Sequence, residues 1–209
     1  MATQLEHLET LKEIRRIMDR SSRFISLSGL SGVFAGIFAL LGAGVVNWYL
    51  DSHHLVTRNM YEVTPNWDTV VFLCLVAAAV LVAALSSGIF FTVRKARQAN
   101  QLVWDNQIKR LLVNLAIPLG AGGIFCGVLL YHQVIYLIAP SMLLFYGLAL
   151  LNASKYTLRD IYYLGLCEMG LGLMACFFIG YGLLSWTIGF GVLHILYGAI
   201  MYFKYDRKA

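Results

Sequence analysis

A chain of 209 residues in which 59% are hydrophobic and 13% are charged is too apolar for an ordinary soluble domain, whose charged fraction is about 25%. The net charge of +5 would suit nucleic acid if it were gathered on one folded face, but the basic residues instead flank long apolar runs. That placement excludes a nucleic-acid partner and makes the lipid bilayer the expected one.

Residues 1–22 carry Leu5, Leu8, Leu11, Ile14, Ile17 and Met18 at helical spacing, with Glu6, Glu9, Lys12, Glu13, Arg15 and Arg16 around them. The pattern predicts an amphipathic cytoplasmic helix that packs on loops, on a second copy or on a protein partner. Its mixed charge is poorly suited to a membrane sensor, which favours a strongly basic polar face. This polar lead is also unlike a cleavable signal.

Residues 23–209 are expected to form one transmembrane domain. Apolar runs at about 24–49, 69–93, 112–131, 134–153, 160–180 and 183–203 are each near the roughly 20 residues a helix needs to cross a bilayer. The predicted fold is therefore all-α, a polytopic membrane bundle of six transmembrane helices. All of the sixteen Lys and Arg residues except Arg58 fall before span one, between spans two and three, between spans four and five, or after span six. This positive-inside pattern predicts an integral protein of the plasma (inner) membrane with both termini cytoplasmic and residues 51–68 outside. Trp48 and Trp67 flank that segment at interfacial height.

Span one holds Ser28, Gly32, Ala35, Gly36, Ala39 and Ala43 on one stripe, a face that allows close helix approach. Residues 94–112 lack Gly and Pro and predict a helical cytoplasmic connector, with Trp104 midway along it. Pro118 and Pro140 are expected to kink spans three and four, and Tyr131 to Val134 to form a tight external turn. Three hairpins of like orientation (23–111, 112–159 and 160–204) show a weak internal repeat. Gly32 and Gly36 match Gly123 and Gly127, and all four are expected at close helix contacts.

Cys74, Cys126, Cys167 and Cys176 lie within spans, without a C-x-x-C pair, and predict packing residues rather than a disulfide framework or a zinc site. No nucleotide or haem motif is present, so neither a metal nor a cofactor is expected.

The candidate site is Glu168 with His194. A charged side chain near mid-membrane costs about 2.5 to 3.5 kcal/mol on the insertion scale and marks a functional site by default. Glu168 lies about 12 Å inward from Asp160, and His194 about 15 Å inward from Lys204 on the returning helix, so the two can meet at one depth. Burial disfavours a charged carboxyl while a neighbouring imidazolium favours it, a balance suited to loading and releasing protons. Tyr163, Ser28 and Ser31 are alternative hydrogen-bond partners for Glu168; Thr187, Gly191, His194 and Gly198 share one face of span six, and Tyr197 is a further candidate.

Gly29-Leu30-Ser31-Gly32, together with His194 and Gly198, superficially resembles the intramembrane serine proteases of the rhomboid family. Here the serine stands on the first span near its cytoplasmic end, and the rest of that pattern is missing. Three functions remain open on sequence grounds: a small-solute or proton-coupled transporter or channel-like protein, a non-transporting scaffold, regulator or sensor, and an intramembrane enzyme.

Overall fold

The computed structural model describes residues 28–53, 66–98, 104 and 106–207. The expected N-terminal amphipathic helix, most of the 51–68 segment and the middle of the 94–112 connector lie outside these residues. Among the described residues there is no strand, and six helices are long and apolar enough to cross a membrane. They are α1 (Gly29–Ser52), α2 (Trp67–Gln98), α3 (Asn106–Tyr131), α4 (Ile138–Ala153), α5 (Arg159–Phe177) and the irregular α6 (Ile179–Asp206). The two ends of the expected connector belong to α2 and α3 themselves, and Trp104 stands exposed in a bend between them.

The helices form two halves. In one, α1 packs on both α2 and α6; in the other, α4 packs on both α3 and α5. The sequential pair α5 and α6 touch each other much less than either touches its own half.

Glycine decides which faces come together. A Cβ on Gly36 would stand 2.6 Å from the Gly191 carbonyl, and one on Gly198 would stand 2.5 Å from the Val33 nitrogen, so α1 and α6 meet backbone to backbone. Gly147 and Gly165 do the same for α4 and α5, and a Cβ on Gly172 would reach 2.7 Å from the Leu144 nitrogen. Such approach maximises van der Waals contact where no hydrophobic force drives helices together. Gly123 and Gly127 correct the expectation drawn from their spacing, because no atom lies within 4 Å of a Cβ at either. Small residues at that spacing permit a close neighbour without requiring one, and on α3 it is Gly122 that abuts Phe145.

The prolines also differ from expectation. Pro140 falls in the first turn of α4, where the missing N–H would have no partner anyway and no kink follows. Pro118 is interior to α3, so the Asn114 carbonyl one turn earlier loses its helical donor. The Asn152 side-chain amide of α4 takes its place at 3.0 Å, in the way neighbouring helices repair such gaps. At the turn after α3, Val134 N–H donates to the Leu129 carbonyl at 2.8 Å, and Gln133 adopts φ 61°.

At one end of the bundle, Asp206 accepts from the Ser28 hydroxyl at 3.1 Å, the Gly29 N–H at 3.0 Å and the Lys95 ammonium at 2.6 Å. An anion there suits the positive end of the α1 dipole. Asp160, in the first turn of α5, accepts from Lys204 at 3.0 Å and Tyr205 at 2.7 Å. This basic end gathers the starts of α1 and α5 and the ends of α2 and α6.

The glycine contacts give a direct test. Gly172→Leu or Gly36→Leu should lower stability by about 1 to 3 kcal/mol or more, as overpacking does, whereas Gly127→Leu should leave the melting temperature of the detergent-solubilised protein unchanged. Equal losses in all three variants would show that the α3 face is packed after all.

Candidate functional site

Gly165 and Gly172 press α5 against α4 on either side of Glu168, which directs that side chain into the seam between the two halves. There it is wholly buried, at 0% exposure. His194 of α6 is also buried, and its Nδ1 stands 3.3 Å from Glu168 Oε1. The depth argument from Asp160 and Lys204 holds because those two residues are themselves paired at the basic end.

Each ring nitrogen of His194 has a neighbour. Nδ1 is 3.0 Å from the Gly189 carbonyl, and Nε2 is 2.7 Å from the Tyr146 hydroxyl. A carbonyl can only accept, so Nδ1 carries the hydrogen and donates it to Gly189. In the neutral ring Nε2 is then the acceptor and Tyr146 the donor. Phe190 lies against both the Tyr146 and His194 rings, with centroids at 5.0 and 5.9 Å.

Glu168 is left without a hydrogen bond on either oxygen among the described residues. Its Oε2 lies against Gly189, where a Cβ would come within 2.5 Å, and Leu143 closes the same space. An ionised carboxylate in that position would be a buried, poorly compensated charge, the costliest arrangement a protein interior offers.

The backbone of α6 makes this geometry. Residues Thr187–Leu193 form a π-helix, whose bonds run five residues back and which is frequent at functional sites. In an α-helix, residues five apart are about 140° apart around the axis. The π turn stacks Gly189 under His194, so both can face Glu168.

The remaining sequence candidates fall elsewhere. Ser28 belongs to the Asp206 cluster, and the Ser31 hydroxyl donates to the Ser28 carbonyl at 2.6 Å. Neither bonds Glu168, because α1 reaches α6 on the side away from α5. Ser31 is likewise not the hydrogen-bond partner of His194, which separates this bundle from the serine and histidine arrangement that the G-x-S-G pattern suggested. Tyr163 is exposed, edge-on to Tyr162. Thr187 donates to the Leu183 carbonyl of its own helix at 2.7 Å, and Tyr197 pairs with Cys167 at 3.6 Å. The sequence argument missed Tyr146 and Gly189; for Tyr146 the available signal was its place midway along span four.

The described residues hold no group of three or more His, Cys, Asp or Glu side chains placed to bind a metal. His53 instead bonds the Tyr49 carbonyl at 2.9 Å and stacks on the Tyr49 ring, while His132 stands edge-on to Tyr131. The fold and site define a six-helix apolar bundle with a buried carboxylate, imidazole and phenol at its centre. No protein-family model matches the chain, and neither a curated protein nor a solved structure matches it.

Tyr146→Phe removes the partner of a buried imidazole nitrogen while keeping the ring. It should cost about 1 to 3 kcal/mol of stability and shift the His194 ring signals in 15N spectra. Unchanged His194 signals would show that the phenol makes no bond there.

Proposed function

We propose that the chain is an integral membrane protein that carries a small solute or protons, with Glu168 and His194 as its proton-linked site and both termini on the cytoplasmic side of the plasma (inner) membrane. The observation that carries this reading is the position of a wholly buried carboxyl, without a hydrogen bond among the described residues and 3.3 Å from His194, at the seam between two separately packed halves. Intramembrane carboxyl and histidine groups mark proton relays and substrate paths, and transporters commonly work by rocking one bundle against another around a central site. The polar links across this seam support such motion. They run from Tyr146 and Glu168 to His194, from Cys167 to Tyr197, and from Asp160 to Lys204 and Tyr205.

The alternative is a non-transporting scaffold or regulator that assembles with another copy or a membrane partner. One observation favours it: Gly120, Gly123 and Gly127 leave α3 open to a close neighbour. An intramembrane enzyme is the weaker third reading, since Ser31, the nucleophile it would call on, is bonded to Ser28.

Proton flux decides between transport and scaffold. In proteoliposomes under an imposed pH gradient, with a panel of small amines, carboxylates and sugars supplied in turn, wild-type protein should dissipate the gradient with at least one of them. Glu168→Gln should abolish that flux while remaining folded. Equal flux in both proteins would remove Glu168 from the transport path, and none in either would favour the scaffold.

Orientation has its own check. With Cys74, Cys126, Cys167 and Cys176 replaced by Ala, Leu55→Cys should react with an impermeant maleimide added to intact cells. Reaction only after lysis would invert the topology.

A further inference from the structure

The two oxygens of Glu168 have different neighbours: Oε2 lies against Gly189 beside Leu143, while Oε1 is 3.3 Å from Nδ1 of His194. A cation needs several oxygen ligands around it, and among the described residues no group of three or more His, Cys, Asp or Glu side chains is placed to supply them. His194 Nδ1–H, meanwhile, is a single donor between two acceptors, the Gly189 carbonyl at 3.0 Å and Glu168 Oε1 at 3.3 Å.

We propose that Glu168 binds a proton and no larger ion, and that His194 Nδ1–H reports its occupancy by moving between the Gly189 carbonyl and the Glu168 carboxylate, which makes and unmakes the π turn of α6. The proposal rests on the assignment of Glu168 and His194 as a proton-linked site and names its ligand and its readout.

Donation to the Gly189 carbonyl is the arrangement a protonated Glu168 gives, because a neutral carboxyl competes weakly for the donor. Loss of the proton to solvent leaves an anion, and hydrogen bonds to ionised acceptors are roughly twice as strong as neutral ones. Nδ1–H then turns to Oε1, and the Gly189 carbonyl loses the side-chain bond that favours the π register. Relaxation of residues 187–193 toward α geometry leaves Gly189 about 140° around the axis from His194. That removes the backbone lid from Oε2. The same turn carries Gly191, whose carbonyl is pressed against Gly36 of α1, so the change reaches the packing of α1 on α6.

The titratable groups involved are few. Tyr146 faces His194 from α4, Glu168 from α5 and His194 from α6 face each other, and α1 presents Gly32, Gly36 and Leu40, none of them titratable, to this stretch of α6. Cys167 and Tyr197 are the next ionisable groups on α5 and α6, and they bond each other on the outer side. Among the described residues no Lys or Arg side chain is paired with this cluster.

The test uses the full chain in lipid nanodiscs and needs no transported solute. Infrared difference spectra should show a protonated-carboxyl band that Glu168→Gln removes. It should disappear as pH is raised and stay unmoved when sodium replaces potassium or choline at fixed pH. Hydrogen exchange of the amides in 187–198 should change with the same pH midpoint in wild type and lose that dependence in Glu168→Gln. This pattern supports the proposal whether or not proton flux is found. A band displaced by sodium or potassium makes Glu168 a metal-cation site and overturns it, as does identical pH-dependent exchange in wild type and variant, and neither result bears on whether the protein transports.

Discussion

A wholly buried carboxyl group without a hydrogen bond from any described residue has to be tolerated by its surroundings, and the centre of this bundle is arranged around that demand. Glu168 sits between two glycines that bring α5 against α4, so the helix cannot rotate to carry it outward. Across the seam it meets a histidine already committed to a backbone carbonyl and a phenol. That commitment fixes the tautomer of His194 and leaves Glu168 beside a donor it does not hold. A hydrophobic residue of the same size would be the cheaper occupant of such a place. The proposed function rests on finding an ionisable pair in such an apolar interior.

The two halves are held by different chemistry from the seam between them. Within each half, glycine lets backbones touch, and such contacts admit little sliding. Across the seam, bonds run between side chains that can exchange partners. The basic end ties the halves through α6, whose last turn carries Lys204 toward α5 and Asp206 toward α1 and α2. The Lys204 pair is half-exposed on the lysine side and contributes little by itself. The Asp206 cluster is more enclosed, with Lys95 and Asp206 at 20% and 11% side-chain exposure, and combines an ion pair with capping of α1. Movement at the centre while this end stays closed would be a hinge about the α6 terminus.

The sequence made the six long apolar helices legible because the length needed to cross a bilayer is one that apolar composition must fill, and every expected run overlaps a helix of the bundle. It also made the meeting of Glu168 and His194 legible, since rise per residue converts positions into depths once Asp160 and Lys204 are taken as level. Tyr146 was not legible as a site residue, because a tyrosine in a span is more often packing, and only the turn of α4 aims it at His194. Gly123 and Gly127 were misread for the converse reason: they share the spacing of Gly32 and Gly36 but not their neighbours. The Ser28 hydroxyl was expected near Glu168 on small-residue pattern alone, and the pattern does not say which helix lies opposite. The fate of Pro118 could be guessed only in kind, since the donor that fills the gap, Asn152, is on the next helix, 38 residues from the carbonyl it bonds.

The π turn is the least legible feature and the one on which the geometry of the centre turns. Glycine enrichment in residues 182–198 shows that side chains are being avoided there, without saying in which register. Two demands converge on this stretch of α6. Gly191 and Gly198, seven residues apart and so nearly on one α-helical face, must stay against α1. Gly189 and His194 must both meet Glu168 on the other side. A straight α-helix meets the first demand and fails the second, because it spreads residues five apart around the axis. One widened turn ahead of His194 satisfies both, with Gly189 and His194 stacked and the glycine face below them undisturbed. The proposed proton site would place the sensitivity of α6 at Glu168, whose neighbours Gly189 and His194 lie in and beside the widened turn, and not at the ion pairs of the basic end.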